Sequence, residues 1–426
     1  RDEMTKALQN PRGTYDALPE LAKRFAFIEN KARQVFATRG YGEIRTPVFE
    51  YADVFMRTVG DTTDIVSKEM YLFNDRNGEK MALRPEGTAG VVRAFYSNGL
   101  KQHLPLKLFY VGTPMFRYER PQKGRYRQFH QIGIECFGVA SPNADVEVIA
   151  TGVALLKSIG LSGDIVVKLN SLGTKEDREQ YRQKLLAYFE PVQDQLSKES
   201  QERLSKNPLR ILDSKEKEDK PFIKDAPRPL DSLCEESKKH FDAVKKGLEA
   251  LDIQFEIDTS LVRGLDYYTH TVFEIHGEGL GAQSQVIGGG RFDGLVEQMG
   301  GESVPAVGFG CGMERLESIM EQQMSDERPV AFAVMDDAAY LSCLQLAENL
   351  RLDGVPCYLP LELTSFKSQM KKANKVNARY TVIVGEDELK RKIFQVKDME
   401  EGTQQELTFL DAVDLFRGEY GVCKGS

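Results

Sequence analysis

The densest chemistry in the sequence is the run FRYERPQKGRYRQFHQ (116–131). Arg117, Arg120, Lys123, Arg125 and Arg127 are offset only by Glu119, so residues 117–127 carry a net charge of +4. Phe116, Tyr118, Tyr126 and Phe129 lie among these cations. Guanidinium groups grip phosphate oxygens two at a time and stack on rings, so arginines among aromatics suit a polyphosphate bearing a stacked base. A solvated turn would not need the aromatics. Pro121 and Gly124 sit mid-run with strand-forming sequence on both sides, which predicts a hairpin with a basic tip. A second run, LVRGLDYYTHTVFEI (261–275), sets Arg263 and the adjacent Tyr267 and Tyr268 in an apolar, strand-forming context. On a strand those two tyrosines face opposite sides, so one at most enters a given pocket. An edge strand with ordinary tyrosines is an equal reading. A third run, LRPEGT (83–88), places Glu86 and Thr88 after the turn residue Pro85, where a helix starts. From the residues alone, Glu86 reads first as a carboxylate stabilising that helix N-terminus.

Other patterns are weaker or absent. FKSQMKKANKVNAR (366–379) holds Lys367, Lys371, Lys372, Lys375 and Arg379 and no acid, a net +5. A charge run is usually a solvated helix face; the lack of any acid shifts the balance towards phosphate contact. No GxxxxGK[ST] loop occurs. GFGCG (308–312) has its third glycine one position early for a dinucleotide loop and reads as a glycine-bearing strand entering a helix.

These residues need a scaffold. A chain of 426 residues suggests two to four domains. Leu21, Phe25, Ile28, Ala32, Val35 and Phe36 recur at helical spacing over 20–39. EIRTPVFEY (43–51), 70–75, 80–85, 106–119 and 129–138 read as strands with short connections, hence an antiparallel sheet, with helices near 87–99 and 143–159. Residues 172–248 are charged, poor in aromatics and helical in period, and read as an inserted helical module. Strands return at 253–258 and 271–276. After a polar linker, strands and helices alternate from 328 to 426, predicting a small α/β domain with a mostly parallel sheet.

Composition excludes several classes. Apolar residues make up 41% and charged residues 29%, as in an ordinary soluble chain. No apolar run approaches the roughly 18 residues that cross a bilayer, and RDEMTKALQNPRG lacks the apolar stretch of a signal peptide. Six scattered cysteines without a CxxC pair read as reduced thiols, so a cytoplasmic location is expected. Five histidines show no HExxH or zinc spacing. The net charge of −8 argues against nucleic acid as a partner, yet two segments about 250 residues apart are strongly basic. The distribution of charge, rather than its sum, is the informative quantity.

Taken together, these motifs resemble the histidyl-tRNA synthetases, class II aminoacyl-tRNA synthetases, in their bacterial form. PRGTYDALP (11–19) is similar to the family's N-terminal signature, GYGEIRTPVFEY to motif 1, FRYERPQKGRYRQFHQIGIECFG to motif 2 and AVGFGCGMERL to motif 3. RGLDYYTHTVFE and GGGRFDGL resemble the two histidine-specific motifs, which make the specific assignment. The resemblance implies an α+β fold. Its antiparallel-sheet catalytic domain would span 1–171 and 249–322, interrupted by a helical insertion at 172–248 and followed by an α/β anticodon-binding domain at 328–426. It implies ATP-dependent activation of L-histidine and transfer to the 3′ end of tRNA(His), in a homodimer, with Mg²⁺ accompanying ATP.

By the same resemblance Arg117 and Arg263 are the catalytic cations at the α-phosphate and the histidine carboxylate. Glu119, Arg125, Phe129 and Arg315 join Arg117 around ATP. Glu86, Gly87, Thr88 and Gln131 take the amino-acid backbone end, with Glu135, Tyr267 and Tyr268 at the imidazole. Arg120, Gln122 and Lys123 at the hairpin tip, with Lys367, Lys371 and Lys375, would meet tRNA. The sequence departs from the family pattern at Phe292, usually Tyr; at Tyr15, usually Gln; and before residue 366, where a Gly-Arg pair is usual. The alternative is a non-catalytic synthetase-like regulatory subunit of ATP phosphoribosyltransferase. Such subunits typically lack the final domain and much of the catalytic constellation, which this sequence retains.

Overall fold

The computed structural model describes residues 8–59, 63, 65–118, 120, 125–161, 165–261, 267–277, 285–320 and 328–421. The chain divides into two compact units, Arg1–Gln322 and Gln323–Ser426.

The first unit is built on one large sheet. Its strands are β1 (Gly42–Glu43), β5 (Leu106–Phe116), β6 (Gln128–Phe137), β7 (Ile165–Ser171), β8 (Phe255–Ile257), β9 (Thr269–Gly277), β10 (Gln285–Arg291) and β11 (Ala306–Gly312). The spatial order is β1-β5-β6-β11-β10-β9-β7-β8. Pairing is antiparallel throughout the centre and parallel only at the two edges, β1–β5 and β7–β8. The expected strand over 43–51 is two: β1 joins the large sheet, while β2 (Phe49–Tyr51) joins β3 (Leu72–Asn74) and β4 (Lys80–Leu83) in a separate sheet of order β2-β4-β3. Pro47 lies in the break between β1 and β2, where a missing N–H costs no ladder bond.

The two faces of the large sheet differ because side chains alternate along a strand. Ile132 and Ile134 on β6, Phe309 on β11 and Ile287 on β10 point to one face. There they pack with Phe25, Ile28 and Phe36 of the helix Pro19–Ala37, Val148 and Ile149 of Pro142–Ser158, and Phe241, Val244 and Leu248 of Glu235–Ala250. The alternate positions, Gln131, Gly133 and Glu135 on β6, stand opposite Gly312, Gly310 and Gly308 on β11 and form the other face. A helix-covered apolar face thus holds rigid a face that carries polar groups and glycines.

The helix Glu235–Ala250 corrects the insertion boundary expected at 248. Its charged surface suggested the inserted module, but its apolar stripe is buried in the main core. The inserted segment has its own smaller cluster, with Tyr181, Leu185, Phe189, Leu196, Leu204, Leu209, Ile211 and Ala226 buried. Each leucine, isoleucine or phenylalanine among them contributes about 1.5–3 kcal/mol on burial. Beside this cluster the fully buried Asp219 accepts hydrogen bonds from the Ser197 amide (2.8 Å) and hydroxyl (2.7 Å), the Ser200 hydroxyl (2.6 Å) and the Ser214 hydroxyl (2.5 Å). Burial pushes its carboxyl up, and the hydrogen bonds from Ser200, Ser214 and Ser197 outweigh that and hold it below the usual range.

The second unit has a five-stranded sheet: β12 (Val330–Val334), β13 (Cys357–Tyr358), β14 (Tyr380–Val384), β15 (Phe394–Asp398) and β16 (Gln404–Leu407), ordered β13-β12-β14-β15-β16. β13–β12–β14 is parallel, but β14–β15–β16 is antiparallel, so the sheet is mixed rather than mostly parallel. The short connection from 399 to 403 between β15 and β16 leaves no room for a crossover helix. The helix Phe366–Lys375 is tied to β12 by the buried Gln369. Its amide accepts from the Val334 amide at 2.9 Å and donates to the Val334 carbonyl at 2.7 Å. The side chain thereby satisfies backbone groups at the end of β12, beyond the two residues that β13 pairs. Gln369 and Ala373 face inward, so Lys367, Lys371 and Lys375, one turn apart each, face outward and are exposed.

Candidate active site

The basic run is a hairpin. β5 and β6 pair in register down to Phe116 opposite Gln128, and the Arg117 amide donates to the Arg127 carbonyl at 2.9 Å. Glu119, Gln122 and Lys123 lie outside the described residues, as does Arg263; Arg120 is exposed. Arg117 is braced at the mouth of the hairpin. Its Nε donates to the Pro85 carbonyl at 2.8 Å, and its guanidinium lies 5.4 Å from the Phe129 ring centroid. The buried Arg84 fixes that carbonyl from the preceding residue, with Nε on the Pro114 carbonyl (2.7 Å) and an Nη on the Thr46 carbonyl (2.9 Å).

A cavity of about 380 Å³ opens beside this hairpin. Arg117, Arg125, Phe129, Gln131 and Arg315 line it, so the structure gathers five of the sequence-designated residues in one place. Arg315 reaches across from the helix Met313–Ile319 and donates to the Gln285 carbonyl at 2.6 Å. Burial, and then the neighbouring Arg125, push its guanidinium below its ordinary value. Half-buried Arg315 and exposed Arg125 are like charges facing one cavity, so an anion that enters between them relieves their repulsion. GFGCG is the end of β11 running into that helix, as its glycine spacing suggested.

Beyond Gln131 the same strand face continues to Gly133 and Glu135. Glu135 is buried; its Oε1 accepts from the Thr88 hydroxyl at 2.7 Å, and its Oε2 has no hydrogen-bond partner among the described residues. Burial raises its carboxyl well above the ordinary range, Thr88 opposes that, and Glu86 adds to it. Oε2 occupies the space of a side chain at Gly308, where an added Cβ would stand 2.0 Å away. Glu86 is buried one layer over. Its Oε2 accepts from the Thr88 amide (2.8 Å) and its Oε1 from the Ala89 amide (2.7 Å), at the start of the helix Thr88–Ser97. Glu86 therefore does serve that helix N-terminus, with its carboxyl raised by burial against these hydrogen bonds. Gly87 passes over the ring of Tyr110, which an added Cβ would approach to 2.4 Å; the Tyr110 hydroxyl donates to Gln131 at 3.3 Å.

Tyr267 and Tyr268 differ from expectation. They precede β9 rather than lying on it, so strand alternation does not separate them. Both are buried with ring centroids 4.7 Å apart, and Tyr268 packs over Gly290. Burial raises the Tyr267 hydroxyl well above its ordinary value, then Tyr268, Glu86 and Glu135 push the same way, which puts all four groups in one neighbourhood. Phe292 packs its ring 5.8 Å from Tyr267 and is itself buried, an apolar support.

The sequence reading gave no role to Glu314 or to Tyr15, which it noted only as a departure from the family pattern. Glu314 lines the cavity and accepts from the His130 amide at 2.9 Å and the Tyr15 hydroxyl at 2.7 Å. It stands next to Arg315 inside a motif already singled out, which was the available signal. Arg210, from the inserted segment, also lines the cavity, and nothing in its local sequence marks it.

A profile of the histidyl-tRNA synthetase family matches residues 13–316, and one of an anticodon binding domain matches residues 329–419. The chain belongs to the histidyl-tRNA synthetase family. A histidine–tRNA ligase of Rhodospirillum rubrum is 49% identical over 401 residues, covering 94% of this chain and 96% of the relative. One from Streptococcus pyogenes is 47% identical over 417 residues, covering 96% and 97%. The apo histidyl-tRNA synthetase of S. aureus superposes with a TM-score of 0.82 at 35% identity, covering 96% of this chain and all of that one. Family membership thus agrees with the class II architecture and its C-terminal anticodon-binding domain.

Proposed function

We propose that the chain joins L-histidine to ATP, releases pyrophosphate, and passes the histidyl group to the 3′ end of tRNA(His). The observation that carries this reading is the continuity of one sheet face. Phe129, Gln131, Gly133 and Glu135 run from the arginine-lined cavity to a buried carboxylate without changing side. In the first step a histidine carboxylate oxygen attacks the α-phosphorus. A new P–O bond forms and the bond to the pyrophosphate oxygen breaks. Two anions must meet, so the site needs positive charge aimed at the phosphorus more than it needs a base.

Arg117, held by Pro85 and Phe129, takes the α-phosphate and the incoming carboxylate, with Arg263 as the second charge. Phe129 stacks under the adenine that Glu119 orients, and Arg125 and Arg315 take the far phosphates. At the other end Glu135 accepts from an imidazole N–H, between Tyr267 and Tyr268. Thr88, Gly87, Glu86 and Gln131 hold the amino-acid backbone. A site built of buried polar groups rejects side chains that leave them unpaired by roughly 10⁴-fold.

Mg²⁺ would enter with ATP, where phosphate oxygens would hold it and it would neutralise developing charge. Glu314, beside the cavity, already spends its carboxylate on His130 and Tyr15. Among the described residues no cluster of three His, Cys, Asp or Glu side chains could hold a metal ion. A homodimer is supported by the apolar face of the small sheet, where the rings of Phe49 and Phe73 lie with centroids 6.3 Å apart and both are about half exposed, with Tyr51 on the same face. Among the described residues no helix is long and apolar enough to cross a membrane, and we place the enzyme in the cytoplasm. The regulatory-subunit reading is less supported, since the relatives matched over nearly the whole chain are ligases.

ATP–pyrophosphate exchange with each amino acid in turn tests the assignment. Exchange is expected with histidine alone. Exchange with none would favour the regulatory reading, and exchange with proline or threonine would end the histidine assignment. In the second unit, Arg379 is spent on Asp398 (3.0 Å) and Glu400 (2.8 Å), which leaves the outward lysines as the phosphate-facing charge. Replacing Lys367, Lys371 and Lys375 together by Glu is expected to raise the KM for tRNA by roughly tenfold or more and to flatten its salt dependence by about two units of log–log slope. Histidine-dependent exchange without tRNA should not change; if it fell in step, the lysines would be supporting the fold and not the RNA.

A further inference from the structure

The helical insertion reaches the catalytic cavity. Arg210 lines it together with Arg117, Arg125 and Arg315, although about 80 residues separate it from the motif 2 hairpin and about 100 from motif 3. Its placement is fixed from both sides. Leu209 and Ile211, its neighbours in the 3₁₀ turn Pro208–Asp213, are buried in the insertion's own cluster. Leu212 packs against both that cluster and the one containing Tyr267 and Tyr268. The turn is closed by the Arg210 amide on the Asn207 carbonyl (3.0 Å). It is followed at once by Ser214, one of the donors to the buried Asp219. A second arginine of the insertion, Arg178, donates to the Tyr268 carbonyl at 2.7 Å. The insertion thus touches both the cation-lined cavity and the backbone of the tyrosine pair.

We infer that Arg210 is a further substrate-binding cation, which brings the insertion to bear on the polyphosphate of ATP during histidine activation. The inference rests on the function proposed above. The choice of ligand follows from the company Arg210 keeps. Its cavity is lined by three other arginines and two aromatic rings, Tyr126 and Phe129, on which a base can stack, and its volume of about 380 Å³ suits a nucleotide. Guanidinium is the side chain suited to bidentate contact with phosphate oxygens. A contact to the γ-phosphate, one phosphate removed from the breaking bond, holds nearly equally in the ground state and in the transition state. It therefore lowers KM for ATP and leaves kcat largely alone.

The test is histidine-dependent ATP–pyrophosphate exchange without tRNA, on the full chain, with Arg210→Gln and Arg210→Lys. Wild-type exchange with histidine is the control for the underlying reading: without it, the proposed function fails, whatever Arg210 does. Given wild-type exchange, Arg210→Gln is expected to raise KM for ATP about tenfold, the loss of one partly exposed charge-assisted contact. The KM for pyrophosphate should rise in parallel, while KM for histidine and kcat stay within about twofold. Arg210→Lys, which keeps the cation, should recover most of the loss. The inference is overturned if KM for ATP and the pyrophosphate constant are unmoved. It is equally overturned if only aminoacylation of tRNA falls, which would put Arg210 at the acceptor end of the RNA. A kcat loss shared equally by both variants would make Arg210 a structural anchor and would also end the inference.

Discussion

Gly308→Ala abolishes histidine activation, with kcat/KM for pyrophosphate exchange expected to fall on the order of 10³-fold or more. The added Cβ would stand 2.0 Å from Glu135 Oε2 and 2.3 Å from the Ile134 carbonyl oxygen. β11 has no room to retreat, because it is paired on both sides, to β6 across Gly308–Glu135 and to β10 across Gly308–Gly290. The Glu135 carboxylate must therefore leave the floor of the pocket and give up its 2.7 Å bond from Thr88. The Ile134 carbonyl is backbone and cannot swing aside, so the fold should lose at least the about 1–3 kcal/mol of a crowded methyl, and activity is compared at a temperature where thermal unfolding shows the variant folded. Gly294→Ala is the control: it lies just after the glycines of the neighbouring strand β10, meets nothing within 4 Å, and should behave as wild type. If Gly308→Ala retained activity within about tenfold of wild type, Glu135 could not be the group that reads the imidazole.

Glu135→Gln separates function from stability in opposite directions. If Glu135 reads the imidazole as proposed, activity should fall on the order of 10²–10³-fold in kcat/KM for histidine, because an amide replaces the carboxylate acceptor for an imidazole N–H. The unliganded protein should become more stable. Glu135 Oε2 is buried and lacks a hydrogen-bond partner among the described residues, and burial raises its carboxyl well above 4.5. A carboxyl raised on folding keeps a proton that the unfolded chain releases. Its contribution is complete below about pH 4.5 and is lost as pH rises through the folded value. Glutamine removes that loss, so the stability gap between variant and wild type should widen from about pH 4.5 upward, reaching about 1–3 kcal/mol. Thermal unfolding of both proteins from acid to neutral pH measures it. Parallel curves would mean that Glu135 is solvated as an ordinary surface carboxylate, contrary to its burial. A buried carboxyl with an unpartnered oxygen costs the empty protein stability, which is the usual tension between stability and activity.

Several parts of the site were legible in the sequence because they are local. The basic hairpin announced itself through charge, aromatics and flanking strand sequence, and it is a hairpin. Glu86 reads as a helix-start carboxylate from three residues, and it accepts from two amides of that start. The tyrosine pair was misjudged because its conformation is not local: Tyr267 and Tyr268 are placed by packing on Gly290 and Phe292 and by Arg178 of the insertion, not by a strand. The helix Glu235–Ala250 was assigned to the insertion for its charge, while its buried stripe faces the main core. The second unit's sheet was taken for mostly parallel because alternating strands and helices hide a closing hairpin.

By itself the sequence determined the kinds of group available: the arginines and rings of 116–131, the glycines of 288–290 and 308–312, the carboxylates Glu86 and Glu135, and the acid-free helix 366–379. Those follow from residue type and short-range spacing. Only the tertiary structure decided which of them share a space. Strand pairing set Gly308 under Glu135, a solvent-stripped neighbourhood raised Glu135, and packing of Leu209, Ile211 and Leu212 carried Arg210 into the cavity. Burial and register are properties of segments brought together from far apart in the chain, so no window of the sequence contains them.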